Sequence, residues 1–243
     1  MKTLLEEQFA PITSEIGFLR LPFPRAAAAL ESWRREQRPG LTVTSLAEPL
    51  DAALARLPPL AASVPRELLV EVRGGWCAYF DAAPDGTAAY EAVHHLARAL
   101  HCDGLRVVVV PHGPRRPDDE AAARPGALRW ELTYRTDWAS ETRAVAVQYH
   151  DAAWQFSESG RPQPYEETTA YRAKRVRDRF TSAMLERYCQ ALGLEVFDPA
   201  AYGPRGVLLE HKVRPSWRTR PRPLPEVQAR LGIVPGAARD LPG

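Results

Sequence analysis

The side chains best able to ligate a metal or attack an electrophile gather in one short stretch, His94–His95 followed by His101–Cys102–Asp103. That grouping has the composition of a metal site, but its spacing argues otherwise. On a helix, His94 and His101 share a face yet stand seven residues, about 10.5 Å, apart along the axis. The i+4 position, where a second ligand belongs, is Arg98. The histidines fall on the polar face and read as solvated side chains near a helix C-terminus. No metal and no other cofactor is expected. Cys77 alternates away from Trp76 and Phe80, with no sequence neighbour to lower its pKa, so it reads as a structural thiol. The acids Glu166–Glu167 and Asp118–Asp119–Glu120 are adjacent in sequence, and adjacent side chains do not face one another as an acid/base pair must. The first pair reads as charge at a helix start and the second group as a solvated loop. The sequence holds no GxSxG, HExxH, P-loop, GxGxxG, EF-hand or kinase signature.

The most individual stretch is 154–166. A strand with two large aromatics, Trp154 and Phe156, runs into Gly160 and the spaced prolines Pro162 and Pro164, then into Tyr165–Glu166. Prolines preset extended geometry, so one reading is a rigid strand-to-helix connection. The other is a loop presented to a partner. Beyond it, a basic helix over 171–179 would carry Arg172, Arg175 and Arg179 on a common face. With Arg214, Arg218, Arg220 and Arg222 it could meet phosphates. Only Trp217 interleaves with these arginines as a stacking residue. A solvated helix face, with a tail docked on the acidic N-terminal part, is the alternative. The candidate binding residues are therefore Trp154, Phe156, Tyr165, Glu166, Arg172, Arg175 and Arg179.

The same segment, together with Asp178–Arg179–Phe180–Thr181 and the run from Gly193 to Tyr202, resembles an uncharacterised bacterial family of immunity-type proteins from toxin systems. The resemblance covers the last half of the chain. It implies a partner protein such as a toxin and carries over no functional residue.

Elements must position these groups. Helices are expected at 26–35 and 49–57, the latter closed by Pro58–Pro59, with a strand at 41–44 between them. Leu68, Val70 and Val72, then Gly74–Gly75, then Trp76, Ala78 and Phe80 predict a hairpin. The clearest helix is 87–101, with Thr87 as N-cap and Ala89, Val93, Leu96, Ala97 and Leu100 on one face. A strand over 105–110 is apolar on both faces and should be central. The helix-crossed step from Phe80 to Leu105 could introduce one parallel pair. After the loop 112–126, three strands follow. Leu128, Trp130, Leu132 and Tyr134 mark the first, Val145, Val147 and Tyr149 the second, and Trp154 and Phe156 the third. Helices over 167–179 and 182–192, the second with Thr181 as N-cap and Gly193 at its end, precede a last strand at 207–213. The order predicts an α+β fold, a mostly antiparallel sheet with helices packed on one face. It comprises an irregular and helical segment (1–60), a core (61–213) and an Arg/Pro-rich tail (214–243).

At 243 residues the chain can bury a full core without staples. Its three scattered cysteines suit neither a disulfide framework nor a structural zinc, and the reducing cytoplasm is the expected setting. No apolar run approaches the length a bilayer requires, so no membrane partner is expected. The Ala, Arg and Pro excess has the look of a high-GC bacterial genome. Net charge is only +2, but unevenly placed: residues 1–159 hold 17 basic and 21 acidic side chains, residues 160–243 hold 15 and 9. The sequence points to a non-catalytic protein-binding, immunity-like module. The alternatives are an enzyme whose pocket is not recognisable from sequence, or a nucleic-acid binder acting through the basic C-terminal third.

Overall fold

The computed structural model describes residues 1–38, 40–85, 89–113, 124–136, 139–211 and 220–236. Its strands are β1 (Glu15–Leu19), β2 (Thr42–Ala47), β3 (Arg66–Val72), β4 (Trp76–Asp81), β5 (Gly104–Val110), β6 (Ala127–Arg135), β7 (Ser140–His150), β8 (Ala153–Ser159) and β9 (Tyr202–Glu210). They form one sheet in the order β2-β9-β3-β4-β1-β5-β6-β7-β8, antiparallel at every contact. The helices are α1 (Phe23–Gln37), α2 (Leu50–Leu54), α3 (Ala89–Leu100), α4 (Ser182–Ala191) and α5 (Leu224–Arg230). The fold is α+β, as the strand patterns predict.

The β3–β4 hairpin forms around Gly74 and Gly75, both at φ near +80°, with Val72 opposite Trp76. The parallel contact expected across α3 does not occur. β1, from the stretch read as irregular and helical, lies between β4 and β5 and bonds antiparallel to both. A five-residue run buried throughout, Glu15–Leu19, has no polar/apolar alternation to reveal it as a strand. It becomes the middle of the sheet because β4 and β5 each offer it an unpaired edge.

Helices cover both faces rather than one, because the central strands are apolar on both sides. Leu68, Val70, Ala78 and Phe80 share one core with α2, α4 and α5. Leu69, Cys77 and Tyr79 share a second with α1 and α3. Gly17 and Gly104 allow α3 to lie close on β1 and β5, since a Cβ at Gly104 would stand 2.9 Å from Val93 Cγ1. Alternation along β3 and β4 thus sorts side chains between two cores, not between core and solvent.

Helix α4 begins as the sequence predicts, with Thr181 Oγ1 accepting the Met184 amide at 3.3 Å and Gly193 following at φ +80°. The last strand starts earlier than expected, at Tyr202, and inserts between β2 and β3. The largest correction falls on 167–179. No α-helix forms there; two single 3-10 turns, Ala170–Arg172 and Val176–Asp178, take its place. The anchoring aromatics Tyr165, Tyr171 and Phe180 recur at six and nine residues. That spacing spreads the chain over the sheet instead of rolling it into a 3.6-residue period. The described part of the tail docks. Val227 enters the first core, and Gln228 Nε2 donates to the carbonyls of Gln8 and Ala10 at 3.0 Å. The Thr87 cap, the acids Asp118, Asp119 and Glu120, and Arg214, Trp217 and Arg218 lie outside the described residues.

Candidate functional site

Strand β8 forms one edge of the sheet and pairs only with β7. Its alternation turns Gln155, Ser157 and Ser159 outward and sends Trp154 and Phe156 against the connection that leads to α4. Trp154 packs edge-on to His112 and Tyr149, with ring centroids 5.4 and 5.6 Å away. Phe156 meets Tyr171 at 5.3 Å. Above these rings sit two guanidinium groups, Arg177 at 5.6 Å from Trp154 and Arg179 at 6.0 Å from Phe156. Both contacts are within cation–π range. The two aromatics expected to meet a partner are therefore already engaged by their own chain.

Tyr165 and Glu166 turn further inward. The Tyr165 ring lies edge-on to Trp130 and Tyr188, and burial pushes its phenol well up. The Glu166 carboxylate is fully buried. It accepts from Arg143 Nε at 2.9 Å and Nη2 at 2.6 Å, from the Gln163 amide at 2.7 Å and from the Tyr171 hydroxyl at 2.8 Å. Arg143, 1% exposed, also donates to Glu158 at 2.7 Å and to the carbonyls of Ser159 and Gly160. Every lone pair and proton of this buried ion pair meets a partner, the condition under which burial of charge is tolerated. Burial acts to lower the Arg143 pKa, but its hydrogen bonds to the Glu166 and Glu158 carboxylates and their charge raise it overall. Arg143 thereby bolts the 158–166 stretch to β7. Of the two readings of this stretch, the rigid connection is the one the geometry supports.

The predicted arginines do not share a face. Arg179 folds back, its Nε donating to the Ala173 carbonyl at 2.9 Å. Arg172 is exposed beside a shallow pocket of about 360 Å³ walled by Glu158, Pro162, Thr168, Thr169 and Tyr171. Lys174 and Arg175 are also exposed. Among the described residues, Arg172, Lys174 and Arg175 have no carboxylate within ion-pair distance. Three nearby acids are committed elsewhere, Glu158 and Glu166 to Arg143 and Glu167 to Arg187, while Asp178 stands exposed without pairing to Arg172, Lys174 or Arg175. Sequence adjacency alone does not reveal that withdrawal of counter-charge.

The remaining chemistry-bearing residues are placed as structure. Burial pushes the Cys77 thiol up to about 12 and Cys102 up to about 11. Buried Cys189 is raised further still. Two histidines of α3 stack on aromatics, His95 on Trp33 at 4.3 Å and His94 on Tyr90 at 5.4 Å. Among the described residues no group of three His, Cys, Asp or Glu side chains is close enough to hold a metal ion.

One polar cluster escaped the sequence reading. Glu67 and Asp81 are cross-strand partners on β3 and β4, and the same register places Glu15 of β1 beside Asp81. All three are buried. Arg34 of α1 donates to Glu67 at 2.8 Å and Arg106 clasps Glu15 through two bonds of 2.9 Å. Among the described residues Asp81 accepts only the Ala83 amide, at 2.8 Å, and burial pushes its carboxyl up to about 7. Among the described residues, Glu67 Oε2 has no hydrogen-bond donor. Nearby, His211 is driven down to about 4 by burial and by Arg38 and Arg34. The available signal was the position of Glu67 and Asp81, in phase with Leu69 and Tyr79 on strands buried on both faces.

No known protein family, characterised protein or solved structure matches the chain. Among the described residues, no helix is long and apolar enough to cross a membrane.

Proposed function

We propose that this chain is a non-catalytic binding protein that presents the β8–α4 connection to an acidic protein partner. One observation carries the reading. Arg172, Lys174 and Arg175 stand exposed and, among the described residues, without ion-pair partners, on a segment that Arg143 and Glu166 hold in a fixed shape. A rigid cationic surface loses little entropy on docking, and unpaired charge steers an acidic partner toward it. A toxin masked by an immunity-type protein is the form of partner that the C-terminal resemblance favours. The aromatics Trp154 and Phe156 support the contact from beneath, by holding Arg177 and Arg179, instead of forming it.

The test is charge reversal at Arg172, Lys174 and Arg175 together, all exposed and none of them bonded to the buried ion pair. Immobilised full-length chain should retain, from nuclease-treated lysate of the source organism, one stoichiometric acidic protein. The reversed variant should release it, and raising salt should weaken capture by the parent protein. Retention of nucleic acid in place of a protein, or a protein held equally by both forms, overturns the reading.

A further inference from the structure

A second recess lies under the same connection, where the side chains of three strands meet the start of α4. Its volume is about 230 Å³, below the roughly 300–1,000 Å³ of pockets that hold drug-sized ligands and so sized for a smaller molecule. Leu128 of β6, Val147 of β7 and Phe180 form an apolar floor, all three buried. Trp154 and Arg177 form a wall, and Met1, Thr181 and Ser182 close the rim. Arg177 is the one charged side chain of this lining.

Arg177 is unusual in its company. It is half-buried against the Trp154 ring, yet among the described residues its guanidinium has no carboxylate, carbonyl or hydroxyl partner. Arginine brings five donors in a planar fork, and here none of them is used by the protein. Burial and Arg177 both lower the pKa of His112, which also packs on Trp154, so that imidazole resists taking a second positive charge. The Ser182 hydroxyl is likewise unengaged, whereas Thr181 is already occupied by the Met184 amide. An apolar floor asks for an apolar body. A single unpaired guanidinium asks for a single negative charge with bidentate geometry.

We propose that this recess binds a small carboxylic acid, an alkyl or aryl carboxylate whose head lies on Arg177 and Ser182 and whose body covers Leu128, Val147 and Phe180. The site is distinct from Arg172, Lys174 and Arg175, so it stands whether or not the acidic-partner reading holds.

Titration calorimetry on the full chain with hexanoate, phenylacetate and neutral phenylacetamide tests this. At least one of the two carboxylates should bind saturably at a single site, with phenylacetamide at least tenfold weaker than phenylacetate. Arg177→Gln should weaken carboxylate binding at least tenfold and leave phenylacetamide unchanged. Ser182→Glu supplies a second variant that keeps the fold, because an acid in the first turn of α4 suits the helix dipole; it should repel both carboxylates while unfolding no earlier than the parent. Absence of saturable binding of either carboxylate up to about 10 mM, well beyond the roughly 4 kcal/mol of a millimolar site, overturns the proposal. Equal affinity in the parent and both variants overturns it as well.

Discussion

Replacing Asp81 by Asn should uncover a pH dependence of stability that the parent protein largely conceals. Asp81 is 5% exposed, accepts the Ala83 amide and, among the described residues, has no cation of its own. Glu67 faces it from β3, Glu15 from β1 and Asp85 from the loop beyond β4. Burial first, then these carboxylates, push it up to about 7, against the single Ala83 bond. The unfolded carboxyl releases its proton near 3.8. Between those values the folded state holds more protons than the unfolded one, so stability falls as pH rises. The contribution is complete below about 3.8 and gone above about 7. At about 1.4 kcal/mol per pH unit it amounts to about 4 kcal/mol at most. His211 acts in the opposite sense. Its folded pKa of about 4 lies below the ordinary 6.5, so the unfolded chain binds the extra proton and stability rises with pH across that window, by about 3 kcal/mol at most. The two slopes nearly cancel. Urea unfolding from pH 4 to 7.5 separates them. Relative to the parent, Asp81→Asn should be least favourable at pH 4 and gain steadily to pH 7. With a urea dependence of about 2–3 kcal/mol/M, the full effect moves the midpoint by roughly 1–2 M. His211→Gln should gain most at pH 4 and converge with the parent above pH 6.5. Midpoints for Asp81→Asn and parent that run parallel across the range would refute the reasoning, since Asp81 would then ionise as an ordinary carboxyl.

Two further outcomes follow from burial. Arg143→Met leaves the Glu166 carboxylate buried without its cation and should cost about 3–5 kcal/mol in denaturant unfolding, whereas replacing both partners by apolar residues should recover much of that loss. The thiols should react slowly with a disulfide reagent at pH 8. With Cys102 at about 11 and Cys77 at about 12, only roughly one in a thousand and one in ten thousand are thiolate. Fast labelling of either residue in the folded protein would contradict the placement.

What the sequence could disclose was whatever local periodicity controls. The β3–β4 hairpin, α3, the strands of the β6–β7–β8 meander and the capped start of α4 each carry their signal in residues close together in sequence. Where a placement depends on distant chain, that signal ends. β1 has no alternation, and its central position depends on edges offered by strands some 60 to 90 residues later. β9 enters beside β3 with nothing local to announce it. In the 167–179 stretch the charges suggested a helical face, but Tyr165, Tyr171 and Phe180 are claimed by the core at a spacing no helix can satisfy. The same logic inverts the candidate binding residues. Aromatic and acidic side chains in a loop invite a recognition role, yet Trp154, Phe156, Tyr165 and Glu166 are consumed in fixing the loop. What they free for recognition is positive charge. The carboxylate drawn inward, Glu166 to Arg143, is one counter-ion fewer at the surface that carries Arg172, Lys174 and Arg175. The buried ion pair and the unpaired cations are thus two consequences of one arrangement. A change that returned Glu166 to solvent would loosen the connection and neutralise its surface together, so shape and charge at this site cannot vary independently.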